Sequence, residues 1–192
     1  MKIGLYFGSF NPIHIGHLII ASHVINNTEF KKIWFIISPQ NPLKPSLTLL
    51  NGYQRLHLLR LATEDDSNFK ASDIEFKLPK PSYTIHTITI LKEKYPTHEF
   101  GIIMGSDSFN NLSKWRDQEK IINENNIIVY KRPGFCSTEI QTNANVLYLT
   151  EAPLLEISAT SIRKLIHEGK SIRYLVSDKV REEIEKNGYY KK

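Results

Sequence analysis

Five short runs rich in β-branched and aromatic residues, at 3–7, 33–38, 100–104, 127–130 and 146–149, alternate with helix-like patterns at 17–26, 53–64, 83–94 and 115–123. Strands separated by helices cannot pair through tight hairpins, so they lie parallel and the helices serve as crossovers. The expected fold class is α/β, a doubly wound, mostly parallel sheet with helices on both faces. In open sheets of this kind ligands bind beyond the carboxyl ends of the strands, where the strand order reverses. The first strand and the loop after it are the natural place for that reversal.

That loop reads Gly8-Ser9-Phe10-Asn11-Pro12-Ile13-His14-Ile15-Gly16-His17. A strand end that hands over to a helix start presents unpaired backbone N–H groups and the positive end of a helix dipole, and both attract phosphate. Gly8 permits a turn or a close approach of backbone to ligand. Pro12 fixes φ before the helix and removes a donor that would need a partner. His14 and His17 are three apart, so with the helix begun by His14 they share one face over the strand end. Imidazoles there can donate to phosphate oxygens, and near pH 7 they gain charge at little cost. From the residues alone, a capping histidine beside a solvated one, or a metal pair, stays open. A metal would call for a third ligand of Cys or carboxylate type close by, and none is near in sequence.

Far downstream, Ser158 is expected to cap a helix over 159–167 that Gly169 terminates. Its start would expose amide donors, and Arg163 offers a planar fork for phosphate oxygens. Capping alone accounts for Ser158, and a solvated helical charge for Arg163. A further amphipathic helix over 177–187 is expected to pack on the sheet.

Together these residues carry a resemblance. The first loop resembles the HxGH signature of the nucleotidyltransferase superfamily, and Ile157-Ser158-Ala159-Thr160-Ser161-Ile162-Arg163 resembles its ISxTxxR element, about 140 residues on and in the expected order. Further segments narrow the resemblance to the bacterial nicotinate-mononucleotide adenylyltransferase family. It covers nearly the whole chain and implies a Rossmann-like fold. It also implies transfer of AMP from ATP to nicotinic acid mononucleotide, giving deamido-NAD and pyrophosphate in NAD biosynthesis.

Residue by residue, the resemblance implies that Gly8, Ser9, Phe10, His14 and His17 meet ATP, as do Ser158, Thr160 and Arg163. Gly105-Ser106-Asp107 looks like the family's Gly-x-Asp turn, so Gly105 and Asp107 join the ATP site. A carboxylate at a strand end can accept from ribose hydroxyls. Arg132, in Arg132-Pro133-Gly134, is placed near the nucleotide or in a surface ion pair. For the mononucleotide the resemblance implies Ser9, Lys44, Thr84, Asp107 and Trp115. Lys44 lies in the proline-rich stretch 38–45, which is similar to the substrate loop, although Leu43 stands where the family often has histidine. Ser82 reads as a helix cap in Pro81-Ser82-Tyr83-Thr84, and Thr84 with the following amides is placed to receive the substrate's carboxylate. Trp115 is placed to stack on the pyridine ring, and Arg116 stands where some relatives carry an aromatic. His14, His17, Lys44 and Arg163 are the expected catalytic residues, with Mg2+ arriving on ATP and no protein metal site.

Length and charge agree with this reading. A chain of 192 residues with 41% hydrophobic content suits one domain over 1–192, including a helical segment from about 158. A formal charge of +5 favours anionic ligands. Basic runs with interleaved aromatics are missing, so no nucleic-acid partner is expected. Cys136 is the single cysteine, which excludes an intrachain disulfide. With neither a leader-like start nor an apolar run long enough to span a bilayer, a cytoplasmic protein without membrane contact is expected. Homo-oligomerisation is left open. The alternatives are an adenylyltransferase for nicotinamide mononucleotide or phosphopantetheine, or a non-catalytic nucleotide- or RNA-binding module.

Overall fold

The computed structural model describes residues 1–39, 50–135 and 144–191. Six strands, β1 (Lys2–Gly8), β2 (Lys32–Ile37), β3 (Phe69–Ser72), β4 (Glu99–Gly105), β5 (Asn126–Tyr130) and β6 (Val146–Leu149), form one sheet in the order β3-β2-β1-β4-β5-β6. Every pairing is parallel. This is the doubly wound arrangement expected of a Rossmann-like fold. β3 was not among the expected strands: Phe69-Lys70-Ala71-Ser72 has one large apolar residue and sits at an edge, so neither length nor alternation marks it.

The helices are α1 (Ile15–Asn27), α2 (Gly52–Thr63), α3 (Thr84–Lys94), α4 (Ser106–Phe109), α5 (Gln118–Glu124), α6 (Ala159–His167) and α7 (Asp178–Asn187), with 3₁₀ turns at Ile74–Lys77 and Leu112–Lys114. Strand β2 shows how both faces are covered. Ile33, Phe35 and Ile37 pack with buried residues of α1, α2, α6 and α7, whereas Trp34 and Ile36 pack with those of α3 and α5. A strand buried on both sides has no polar alternation, which is why these strands read as continuous apolar runs.

Two helix starts differ from expectation. The pattern at 115–123 begins as a helix only at Gln118, because Asp117 takes a left-handed φ of 54° and Trp115 is extended after the 3₁₀ turn. Ser82 does not cap α3. Tyr83 holds that position, and the Ser82 hydroxyl instead donates to Glu75 Oε2 at 2.6 Å. Among the described residues no helix is long and apolar enough to cross a membrane.

Candidate active site

The strand order reverses between β1 and β4, and their final residues, Gly8 and Gly105, border a cavity of about 570 Å³. The chain leaves β1 by a turn at Phe10, whose φ is 46°. Of the two uses expected of Gly8 the turn falls to Phe10, and Gly8 itself is still in the strand and lines the cavity. Its missing side chain makes room for a ring, since a Cβ on Gly8 would lie 2.9 Å from Phe10 Cζ. Phe10 is buried and meets the His17 ring edge-on at 5.1 Å.

Behind this turn lies Arg55, fully buried on α2. Its guanidinium donates to the carbonyls of Ser9, Ser38, Pro39 and Leu50. One cation thus ties the β1 loop, the end of β2 and the approach to α2 together. A buried guanidinium is tolerated only with such partners, and burial still lowers its pKa.

His14 is the N-cap residue of α1 and His17 the third residue of its first turn. Their rings stack, with centroids 3.6 Å apart and planes 26° from parallel. Gly16 leaves room for that stack, because a Cβ there would lie 3.1 Å from His14 Nδ1 and 3.2 Å from Cε1, tight enough that the ring would have to shift slightly. His17 Nδ1 accepts from the His14 backbone N–H at 3.3 Å, which places the ring's proton on Nε2 as a donor. His14 Nδ1 is buried without a hydrogen-bond partner.

Burial, and then the nearby Arg132 charge, hold the His14 pKa at about 4. Desolvation, then His14, then Arg132 hold His17 well below its ordinary value. Both rings are therefore neutral near pH 7, which corrects the expectation that they gain charge at little cost there. A polyphosphate placed against them would pull the other way, since a nearby anion favours imidazolium.

The second motif closes on the first. Ser158 caps α6 as expected, its Oγ accepting from the Ser161 N–H at 3.0 Å, and Gly169 follows the helix with φ 68°. Arg163 Nη1 donates to the Asn11 carbonyl at 2.7 Å, across 152 residues of sequence, and Nη2 donates to Thr160 Oγ1 at 3.2 Å. His14, His17, Ser158, Thr160 and Arg163 line the same cavity. Arg163 is thus not a solvated helical charge.

Gly8, Ser9 and Phe10 line it as well, and so do Gly105, Asp107 and Arg132 from the neighbouring strand ends. A Cβ on Gly105 would overlap the Asp107 carboxylate and the Arg132 side chain. Arg132 Nε lies 3.8 Å from Asp107 Oδ1, and its backbone N–H donates to Ser106 Oγ at 3.0 Å. Arg132 therefore both borders the cavity and makes an ion pair. Beneath, the Tyr6 and Tyr130 hydroxyls share a buried hydrogen bond of 2.8 Å.

The remaining wall is made by Ser82, Tyr83, Thr84, Trp115 and Arg116. Thr84 opens α3, whose first amides have no acceptor within the helix. Glu75 holds this region from behind, taking hydrogen bonds from Ser82 and from Thr87 Oγ1 at 2.9 Å. Burial pushes the Glu75 carboxyl up, and these hydroxyl donors oppose it. The Arg116 guanidinium lies 5.0 Å from the centre of the Tyr83 ring, in a cation–π contact. Lys44 lies outside the described residues. Among the described residues no group of three His, Cys, Asp or Glu side chains is placed to hold a metal ion.

Comparison with known proteins agrees with this geometry. Residues 5–165 match the cytidylyltransferase-like family model. A relative from Flavobacterium johnsoniae is 50% identical and one from Flavobacterium psychrophilum 49%, each over the full length of both chains. Both are named "probable nicotinate-nucleotide adenylyltransferase". The chain belongs to the nicotinate-nucleotide adenylyltransferase family. Its fold is also that of a Plasmodium falciparum nicotinic acid mononucleotide adenylyltransferase solved in complex with NaAD. That likeness has a TM-score of 0.80 at 21% identity, over 98% of this chain and 97% of that one.

In this member of the nicotinate-nucleotide adenylyltransferase family, every described residue that the sequence pointed to as a site residue borders the one cavity. Sequence reasoning missed the groups that hold them: Arg55, Glu75, Asn11 as a hydrogen-bonding hub, and Tyr190. Arg55 left a trace. It precedes Leu58 and Leu59 by three and four residues, so it shares the buried face of α2, where an arginine must find acceptors.

Proposed function

We infer that this protein transfers the adenylyl group of ATP to nicotinic acid mononucleotide, forming deamido-NAD and pyrophosphate. The observation that carries this reading is the convergence of His14, His17 and Arg163 on one cavity at the strand-order reversal. A phosphate oxygen of the mononucleotide attacks the α-phosphorus of ATP, a new P–O bond forms, and the bond to the β-phosphate breaks as pyrophosphate departs. That oxygen is already anionic near neutral pH, so no strong general base and no covalent enzyme intermediate are needed. Alignment and stabilisation of growing charge do the catalytic work.

His17 donates from Nε2 to the phosphates, His14 adds a second imidazole, and Arg163 adds donors fixed by its bonds to Asn11 and Thr160. The start of α6 supplies amides to the same oxygens. Asp107 takes ribose hydroxyls, and Arg132 lies alongside. Ser9, Thr84 and Trp115 hold the acceptor, with its carboxylate at the start of α3 and its ring against the indole. Magnesium enters as part of the substrate MgATP, shielding its β- and γ-phosphates.

The test is pyrophosphate release from MgATP with a panel of acceptors. Fast release with nicotinic acid mononucleotide and slow release with nicotinamide mononucleotide and phosphopantetheine is the expected result. Preference for either other acceptor would reassign the substrate. ATP binding with no pyrophosphate from any acceptor would make the protein a nucleotide-binding module.

A further inference from the structure

Asn11 joins three distant parts of the chain at the rim of the phosphate site. Its carbonyl accepts from Arg163 Nη1 at 2.7 Å. Its side-chain Oδ1 accepts from the Leu50 N–H at 3.2 Å and from the Tyr190 hydroxyl at 2.8 Å. Asn11 is 4% exposed and lies between the left-handed Phe10 and the ring of Pro12. Its backbone and side chain are thus each held by a different part of the chain.

Tyr190 arrives there by a specific path. Helix α7 stops at Gly188, whose φ of 64° reverses the chain, and Tyr190 itself has φ 65°. A tyrosine in the left-handed region is strained and persists only when its surroundings hold it. Here the ring packs against the cluster between the sheet and α1, α2, α6 and α7, and the hydroxyl meets Asn11.

We propose that Tyr190 is a positioning residue for the phosphate site: by holding the Asn11 side chain it fixes the carbonyl that orients the Arg163 guanidinium. The proposal rests on Arg163 being a phosphate ligand, as argued above. A guanidinium has five donors in one plane, and two acceptors, the Asn11 carbonyl and Thr160 Oγ1, set that plane here. A shift of the Asn11 peptide would turn the remaining donors away from the cavity. Burial holds the Tyr190 hydroxyl above its ordinary pKa despite the opposing charges of Arg163 and Arg55, so it stays a donor at working pH.

The test compares Tyr190→Phe, Arg163→Ala, the double variant and the control Tyr189→Phe. Each is assayed well below its own melting midpoint. Tyr190→Phe is expected to lower kcat about 10-fold with KM for both substrates within about twofold, because the lost alignment acts on the transition state. Tyr189→Phe is expected to be unchanged. In the Arg163→Ala background, Tyr190→Phe should add no further loss, as two groups acting as one unit do. An unchanged kcat in Tyr190→Phe, or the same 10-fold loss repeated without Arg163, would overturn the proposal while leaving Arg163 as a phosphate ligand. Normal turnover in Arg163→Ala would overturn that reading and the proposal with it.

Discussion

The β1 loop and the wall around Trp115 border the same cavity but are held in different ways. His14 and His17 stack on each other, His17 leans on Phe10 and Tyr6, and both follow a loop that Arg55 binds from behind. Trp115 and Arg116 stand on short turns, with Arg116 over Tyr83 and 3.8 Å from Asp117 as its visible partners. Groups that must meet a transition state gain from being fixed before substrate arrives. Groups that grip a flat heterocycle need only offer a face. The contrast predicts that substitutions on the first side change turnover or folding, and those on the second change substrate affinity.

The strongest challenge to the contrast is His17→Ala. It should lower kcat by about 100- to 1000-fold in a folded protein, the usual cost of one oriented donor. Near-normal turnover with intact circular dichroism would end the assignment. Arg55→Met should leave four partly buried carbonyls short of a donor and cost about 3 kcal/mol of stability, read as a lower denaturation midpoint. A midpoint equal to wild type would mean that water replaces the guanidinium easily.

A pH series separates the two sides by another route. The folded pKa of His14 lies at about 4, below its unfolded value, so unfolding takes up a proton between about pH 6.5 and 4. Stability should be unaffected by this group above pH 6.5 and should fall as the pH drops toward 4, by about 3 kcal/mol for the full shift. His14→Asn should make that part of the melting profile shallower, the remaining slope belonging to His17, and an identical profile in the variant would contradict the buried neutral ring. The mildest change is expected of Trp115→Ala: about a 10-fold higher KM for the mononucleotide, with KM for ATP unchanged. Equal loss for both substrates would make Trp115 a core residue and erase the contrast.

The sheet and both motifs were legible because they depend on local pattern. Apolar runs such as Ile33–Ile37 reveal strands covered on two sides, and Ser158 with Gly169 brackets a helix through capping chemistry. What escaped was set by tertiary contacts. Ser82 has every property of a cap, yet a buried Glu75 seven residues earlier competes for its hydroxyl and wins. Gly8 permits either a turn or a close approach of backbone, while the turn falls on Phe10, whose ring needs the space that Gly8 leaves. The histidine pair was visible, but not its protonation state, because Arg132 and burial enter only once the fold brings them there. Asn11 and Tyr190 are 179 residues apart, and no local rule connects them.

The bond from Arg163 to the Asn11 carbonyl also bears on synthesis. A polypeptide emerging from the ribosome exposes its histidine pair early, but the guanidinium that completes the pocket leaves the exit tunnel some 150 residues later. Unfinished chains therefore lack the Arg163 wall of the cavity, which meets the histidine pair only once translation has passed α6.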